Sequence, residues 1–144
     1  LPPPPSAAEP SQHSRFNLAV DLHRSGALKK SESLYQGILD ANPDHAGALQ
    51  MLGIIYFQKK EMEQALNLLE KAARINPDNT QCFNNLGAVY SAMGKLTQAQ
   101  TAYSTALARR PDYPEALQGL AGVLIRLGKP NEAENLQNRL QQLR

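Results

Sequence analysis

The apolar positions in the middle of the chain recur with helical spacing, and then the whole block recurs. Leu49, Leu52, Gly53 and Tyr56 stand at i, i+3, i+4 and i+7, one face of an α-helix, and Phe83, Leu86, Gly87 and Tyr90 repeat the arrangement. A second helical stripe follows each: Ala65, Leu69 and Ala72, then Ala99, Tyr103 and Ala106. Between the stripes of a pair the chain must turn. Gly26, Gly94 and Gly128 fall there, where a positive φ costs glycine little, whereas Lys60 takes the place once and predicts a less relaxed turn. Pro43, Pro77 and Pro111 stop each second helix, and Asp44, Asp78 and Asp112 are positioned to cap the next one. The pattern predicts pairs of helices joined by tight turns.

The Pro-Asp dipeptides are 34 residues apart, and the same interval sorts the rest of the chain into columns. Leu18, Leu52, Leu86 and Leu120 form one; Ala19, Gly53, Gly87 and Ala121 the next; Leu22, Tyr56, Tyr90 and Leu124 another; Tyr35, Leu69, Tyr103 and Gln137 a fourth. About four units follow, near 12–45, 46–79, 80–113 and 114–144. Small residues at Gly53 and Ala65 let paired helices approach closely, while Tyr56 and Leu69 fill the remaining space.

Leu52-Gly53-x-x-Tyr56 with Ala65, Ala72 and Pro77, and Leu86-Gly87-x-x-Tyr90 with Ala99, Tyr103, Ala106 and Pro111, resemble tetratricopeptide repeats in register. The resemblance implies an all-α, right-handed α-solenoid of helix-turn-helix repeats across residues 12–144. The departures lie in the outer units: Arg15 replaces a bulky apolar residue, Ser31 an alanine, and Gln137 an apolar one. Terminal repeats are expected to depart in this way, because their outer faces meet water. In the last helix Leu136, Leu140 and Leu143 keep an apolar stripe that packs back onto the fourth unit or offers a seam for self-association.

Ahead of the repeats, residues 1–11 open with Leu1-Pro2-Pro3-Pro4-Pro5, a stiff proline-rich linker or tether. The chain starts with Leu1 and is read as a fragment or a processed protein. Fifteen Lys and Arg against 13 Asp and Glu give a net charge of +2, too small and too scattered for a nucleic-acid-binding field. No apolar run approaches the ~20 residues that span a bilayer, so direct membrane insertion is not expected. Cys82 is the one cysteine, compatible with a cytoplasmic or a periplasmic setting.

Catalysis needs converging groups, and the candidates, His13, His23, His45 and Cys82, do not fall at ligand or nucleophile spacing. No cofactor or metal motif is present. The reading is therefore of a binding protein and not an enzyme. The family resemblance implies that first helices line a concave groove holding a peptide or protein segment. In this register the groove positions are Phe16, Val20 and His23; Gln50, Ile54 and Phe57; Asn84, Ala88 and Ser91; Gln118, Gly122 and Ile125; with Asn17 and Asn85 flanking the wall.

Two subfamily patterns bear on the partner. The lysine and asparagine clamp of chaperone-tail binders is absent, since Phe16, Val20, Gln50, Ile54, Asn84 and Ala88 hold its places. The asparagine ladder of arrays attached to O-linked sugar transferases is matched at Asn17 and Asn85 but broken at Met51 and Gly119. The expectation is a protein-interaction scaffold, in a setting such as a bacterial pilus, secretion or envelope assembly. The alternative is the substrate-recruiting arm of a larger glycosyl- or sulfotransferase.

Overall fold

The computed structural model describes residues 11–144; the proline-rich segment lies outside the described residues. Among those residues the chain forms eight α-helices: α1 (Gln12–Arg24), α2 (Leu28–Ala41), α3 (Ala46–Gln58), α4 (Met62–Ile75), α5 (Thr80–Ala92), α6 (Leu96–Arg109), α7 (Pro114–Arg126) and α8 (Pro130–Gln142). Each odd helix packs on the even one that follows, and each even helix on the next odd one. The first helices α3, α5 and α7 also touch in succession, whereas successive second helices are held apart. The stack therefore curves with first helices on the inside.

The turn within each pair is built the same way four times. The amides of Ala27, Glu61, Lys95 and Lys129 reach back to the carbonyls of Leu22, Tyr56, Tyr90 and Leu124 at 2.8–2.9 Å, closing a left-handed cap. The residue before each has positive φ: +87° at Gly26, +75° at Gly94, +79° at Gly128 and +62° at Lys60. A lysine there carries the Cβ penalty that its glycine counterparts avoid. Lys60→Gly is expected to raise stability by about 0.5–1 kcal/mol, read as an increase in thermal midpoint by circular dichroism.

Between pairs the expected caps move by one residue. The helix-capping residues are His45, Asn79 and Tyr113, not Asp44, Asp78 and Asp112. His45 Nδ1 accepts from the Ala48 amide at 3.0 Å and Asn79 Oδ1 from the Cys82 amide at 3.2 Å, while Pro114 opens α7 with no amide to satisfy. The aspartates are instead tied to basic side chains: Asp44 to Lys71 (3.6 Å), Asp78 to Arg109 (2.6 Å) and Asp112 to Arg110 (4.0 Å).

The columns explain the core. Gly53 and Gly87 face Leu69 and Tyr103 so closely that an added Cβ would lie 2.8 Å and 2.7 Å from those side chains. Gly119 likewise leaves room for the end of the Tyr103 ring, which is why the asparagine column is interrupted there. Ala48, Cys82 and Ala116, and Ile55, Val89 and Val123, are buried at the seams with the preceding pair.

At the two ends the same columns turn polar. Ser14 and Asp21 on α1 are exposed, as are Gln137 and Gln141 on α8, where Leu69 and Ala73 are buried two units earlier. Leu18 was expected to belong to the packing stripe with Leu52, Leu86 and Leu120. It is 51% exposed because no helix pair precedes α1 among the described residues. On α8, Ala133 is buried and Leu136 and Leu140 pack back onto the fourth unit, while Leu143 is 46% exposed.

Candidate functional site

The inner wall holds a cleft of about 540 Å³ between α1 and α3. Phe16, Val20, Met51 and Ile54 provide its apolar surface, and His23, Arg24, Gln50, Gln58 and Gln81 its polar one, with Gly47 between. Phe16 is fixed at one side, its ring 5.9 Å from that of Tyr35 and 5.2 Å from that of His45. Gly47 leaves space for it, since a Cβ there would stand 3.0 Å from the Phe16 ring tip.

The polar side is a set of linked amides. Asn79 Nδ2 donates to Gln50 Oε1 at 2.6 Å, and Gln50 Nε2 donates to Gln81 Oε1 at 3.3 Å. Gln50 is 5% exposed, and its amide is held at both ends, by the residue that caps α5 and by Gln81 of the third unit. His23 Nε2 meets Gln58 Oε1 at 2.9 Å. With His23 as the donor, these bonds engage the carbonyl oxygens of Gln58 and Gln81, two lining residues whose NH2 groups have no protein acceptor among the described residues. Arg24 is exposed and has no carboxylate partner among the described residues. The rim is rich in donors and carries positive charge.

Of the anticipated wall residues, the cleft brings together Phe16, Val20, His23, Gln50 and Ile54. The others lie outside it. Phe57 packs against the core, Asn17 is exposed with its amide 3.3 Å from His13, and Gln118, Gly122 and Ile125 are exposed farther along the wall. Asn84, Asn85, Ala88 and Ser91 are half-buried. Ser91 is engaged by Arg126, which donates to its carbonyl and hydroxyl oxygens at 3.0 and 3.1 Å. Asn84 Oδ1 and Asn85 Nδ2 are buried with no partner among the described residues.

Arg24, Gly47, Met51, Gln58 and Gln81 were missed. Gly47 and Gln81 share one column, as do Arg24 and Gln58, and on α3 the sequence Gly47, Gln50, Met51, Ile54, Gln58 is a single stripe with helical period. Stepping forward from Ile54 by four residues instead of three selects Gln58 over Phe57, and one turn backward from Gln50 selects Gly47.

Two of the side chains with reactive potential, Cys82 and His45, are otherwise engaged. Cys82 is buried, its thiol 3.4 Å from the Leu69 carbonyl, and burial pushes its pKa up to about 11, away from the thiolate that nucleophilic chemistry needs. His45 caps a helix. Among the described residues no cluster of His, Cys, Asp and Glu is arranged to hold a metal ion, and no helix is long and apolar enough to cross a membrane.

Paired helices stacked by translation, with one curved wall left open, define a helical-repeat solenoid protein. The chain belongs to the tetratricopeptide repeat family, whose profile matches residues 22–88 and 90–143. Among solved structures, MamA AMB-1 is similar with a TM-score of 0.78 at 24% identity, covering 92% of this chain and 73% of that one. A further crystal structure of MamA gives 0.84 at 20% identity, with 92% and 77% covered. MamA 41-end from Desulfovibrio magneticus RS-1 gives 0.83 at 19%, with 92% and 75% covered. At these identities the likeness is one of fold. Family and fold together mark the chain as a protein-interaction scaffold in the general sense.

Proposed function

We propose that this chain holds a segment of a partner protein in the concave cleft between α1 and α3. The supporting observation is the cleft's makeup: an apolar surface of Phe16, Val20, Met51 and Ile54 beneath a rim of amide and guanidinium donors. Such a surface suits a segment that seats an apolar side chain while its backbone carbonyls accept from Gln58 and Gln81. Arg24 selects a carboxylate near that side chain. An extended segment fits best, because its exposed backbone needs the donors that the rim supplies.

The test uses two positions that do not support the fold. Ile54 lies in the cleft without joining the packed core, and Arg24 is exposed. Partners captured by the wild-type chain are identified and their affinities measured by calorimetry. Ile54→Asp and Arg24→Glu are each expected to weaken binding by about tenfold or more, with an unchanged thermal midpoint. Affinity unaltered by both substitutions would place the binding surface elsewhere.

A further inference from the structure

A second cleft opens on the opposite, convex side, and it exists because the third unit departs from its neighbours. It has a volume of about 300 Å³; Phe83, Leu86 and Tyr90 of α5 form its floor, and Thr97, Gln98, Thr101, Ala102 and Thr105 of α6 its wall. Ala102 shares its column with Leu34, Leu68 and Leu136, each of which packs against the hydrophobic core. The third unit thus lacks the leucine that fills this place in the other three. Phe83, which stands where the second and fourth units have Leu49 and Leu117, takes up part of the space, and the cleft is what remains.

The rim departs as well. At the positions of Thr97, Gln98, Thr101 and Thr105 the first unit has Lys29 and Lys30, the second Glu63 and Lys71, and the fourth Glu132 and Arg139. The third unit alone has no charge there. Two of its three threonine hydroxyls are also engaged: Thr101 Oγ1 donates to the Thr97 carbonyl at 3.1 Å and Thr105 Oγ1 to the Thr101 carbonyl at 2.9 Å. What Thr101 and Thr105 offer a visitor is chiefly methyl surface. At one end Tyr90 donates its hydroxyl to Glu70 Oε1 at 2.6 Å, and Glu70 has no cationic partner among the described residues.

We propose that this cleft is a second docking site, which takes a helix of a partner protein carrying a leucine or methionine flanked by a lysine or arginine. The apolar side chain occupies the space left by Ala102, in the role that leucine plays within the other units. The basic residue pairs with Glu70. A helix is favoured over an extended strand because the rim has few free donors or acceptors, so the visitor must satisfy its own backbone. The concave cleft, with its amide rim, is the opposite case, and the two sites would read different kinds of segment.

The probe is a short helical peptide of alanine, leucine and lysine with its leucines on one face, followed by alanine and threonine methyl NMR of the whole chain. Saturable shifts at Ala102 and Thr101 are expected, and none with the peptide in which serine replaces leucine. The double variant Phe83→Leu with Ala102→Leu recreates the side-chain pairs Leu49/Leu68 and Leu117/Leu136, so it fills the cleft with an arrangement the fold already uses. It is expected to keep the wild-type circular dichroism spectrum and to bind about tenfold more weakly or worse. Glu70→Gln is expected to weaken the lysine peptide while sparing a version with neutral glutamine in place of lysine. No saturable shift up to the peptide's solubility limit would overturn the proposal, as would shifts that persist undiminished in the double variant. Concentration-dependent shifts at Ala102 without peptide would also overturn it, by assigning the cleft to a second copy of this chain.

Discussion

Val89→Asp is expected to unfold the third unit and its neighbours, at a cost of about 4 kcal/mol or more, because a carboxylate would be buried without a partner. Val89 is fully buried at the seam between α4 and α5, in the same column as the buried Ile55 and Val123. The fourth member of that column is Asp21, which is exposed on the outer face of α1. One column thus holds an aspartate at the end of the array and excludes it from the interior. The paired experiment makes the point sharply. Asp21→Val should change the thermal midpoint little, while Val89→Asp should abolish the cooperative transition seen by circular dichroism. Since neighbouring repeats stabilise one another, loss at this seam should propagate and not remain local. A Val89→Asp chain that melts like the wild type would remove the seam from the core.

The second large effect is expected at Gly87. An added Cβ would stand 2.7 Å from Cδ1 and Cε1 of the Tyr103 ring, close to the ring's attachment and not at the end of a pliable chain. Tyr103 is 6% exposed and is bounded on its other side by Gly119, so it has nowhere to retreat. Gly87→Leu should therefore lie at the upper end of overpacking penalties, about 3 kcal/mol. The check is urea unfolding monitored by circular dichroism. A midpoint within error of the wild type would mean that α5 and α6 are not pressed together at this glycine.

The helix pairs were legible because two periodicities coincide. Within a helix, Leu52, Gly53 and Tyr56 follow the 3.6-residue turn, and between units the prolines mark a constant interval. The strained turn at Lys60 was legible for the same reason, since three glycines in its column announced the positive φ. Capping was less so. Asp44 and His45 are adjacent and both able to cap, and only the backbone shows that the His45 carbonyl accepts the first helical bond, from Leu49. Leu18 looked like its column partners, but burial depends on a neighbouring helix pair, which its own column does not encode.

The inner wall was legible as a face but not as a site. A stripe drawn from Phe16 and Gln50 outward selects the correct side of α1 and α3, yet it drifts to Phe57 where the cleft uses Gln58. Gln50 illustrates a separate difficulty: a polar residue on an inner wall reads as a ligand contact, whereas the Asn79 and Gln81 amides claim both of its groups. The convex cleft was present in the columns as a single alanine among leucines. The column alone does not define a cleft, because whether Phe83 fills the space depends on packing that the sequence does not display.

Concave binding is tested most directly by photo-crosslinking from a benzophenone amino acid placed at Ile54, in the lysate of the source cells. The same group at Gln64, exposed on α4 outside both clefts, serves as the reference. A discrete protein adduct from Ile54, absent from Gln64 and lost on competition with unlabelled wild-type chain, is expected. Identical adducts from both positions, or none from Ile54 when the Gln64 chain forms them, would contradict it.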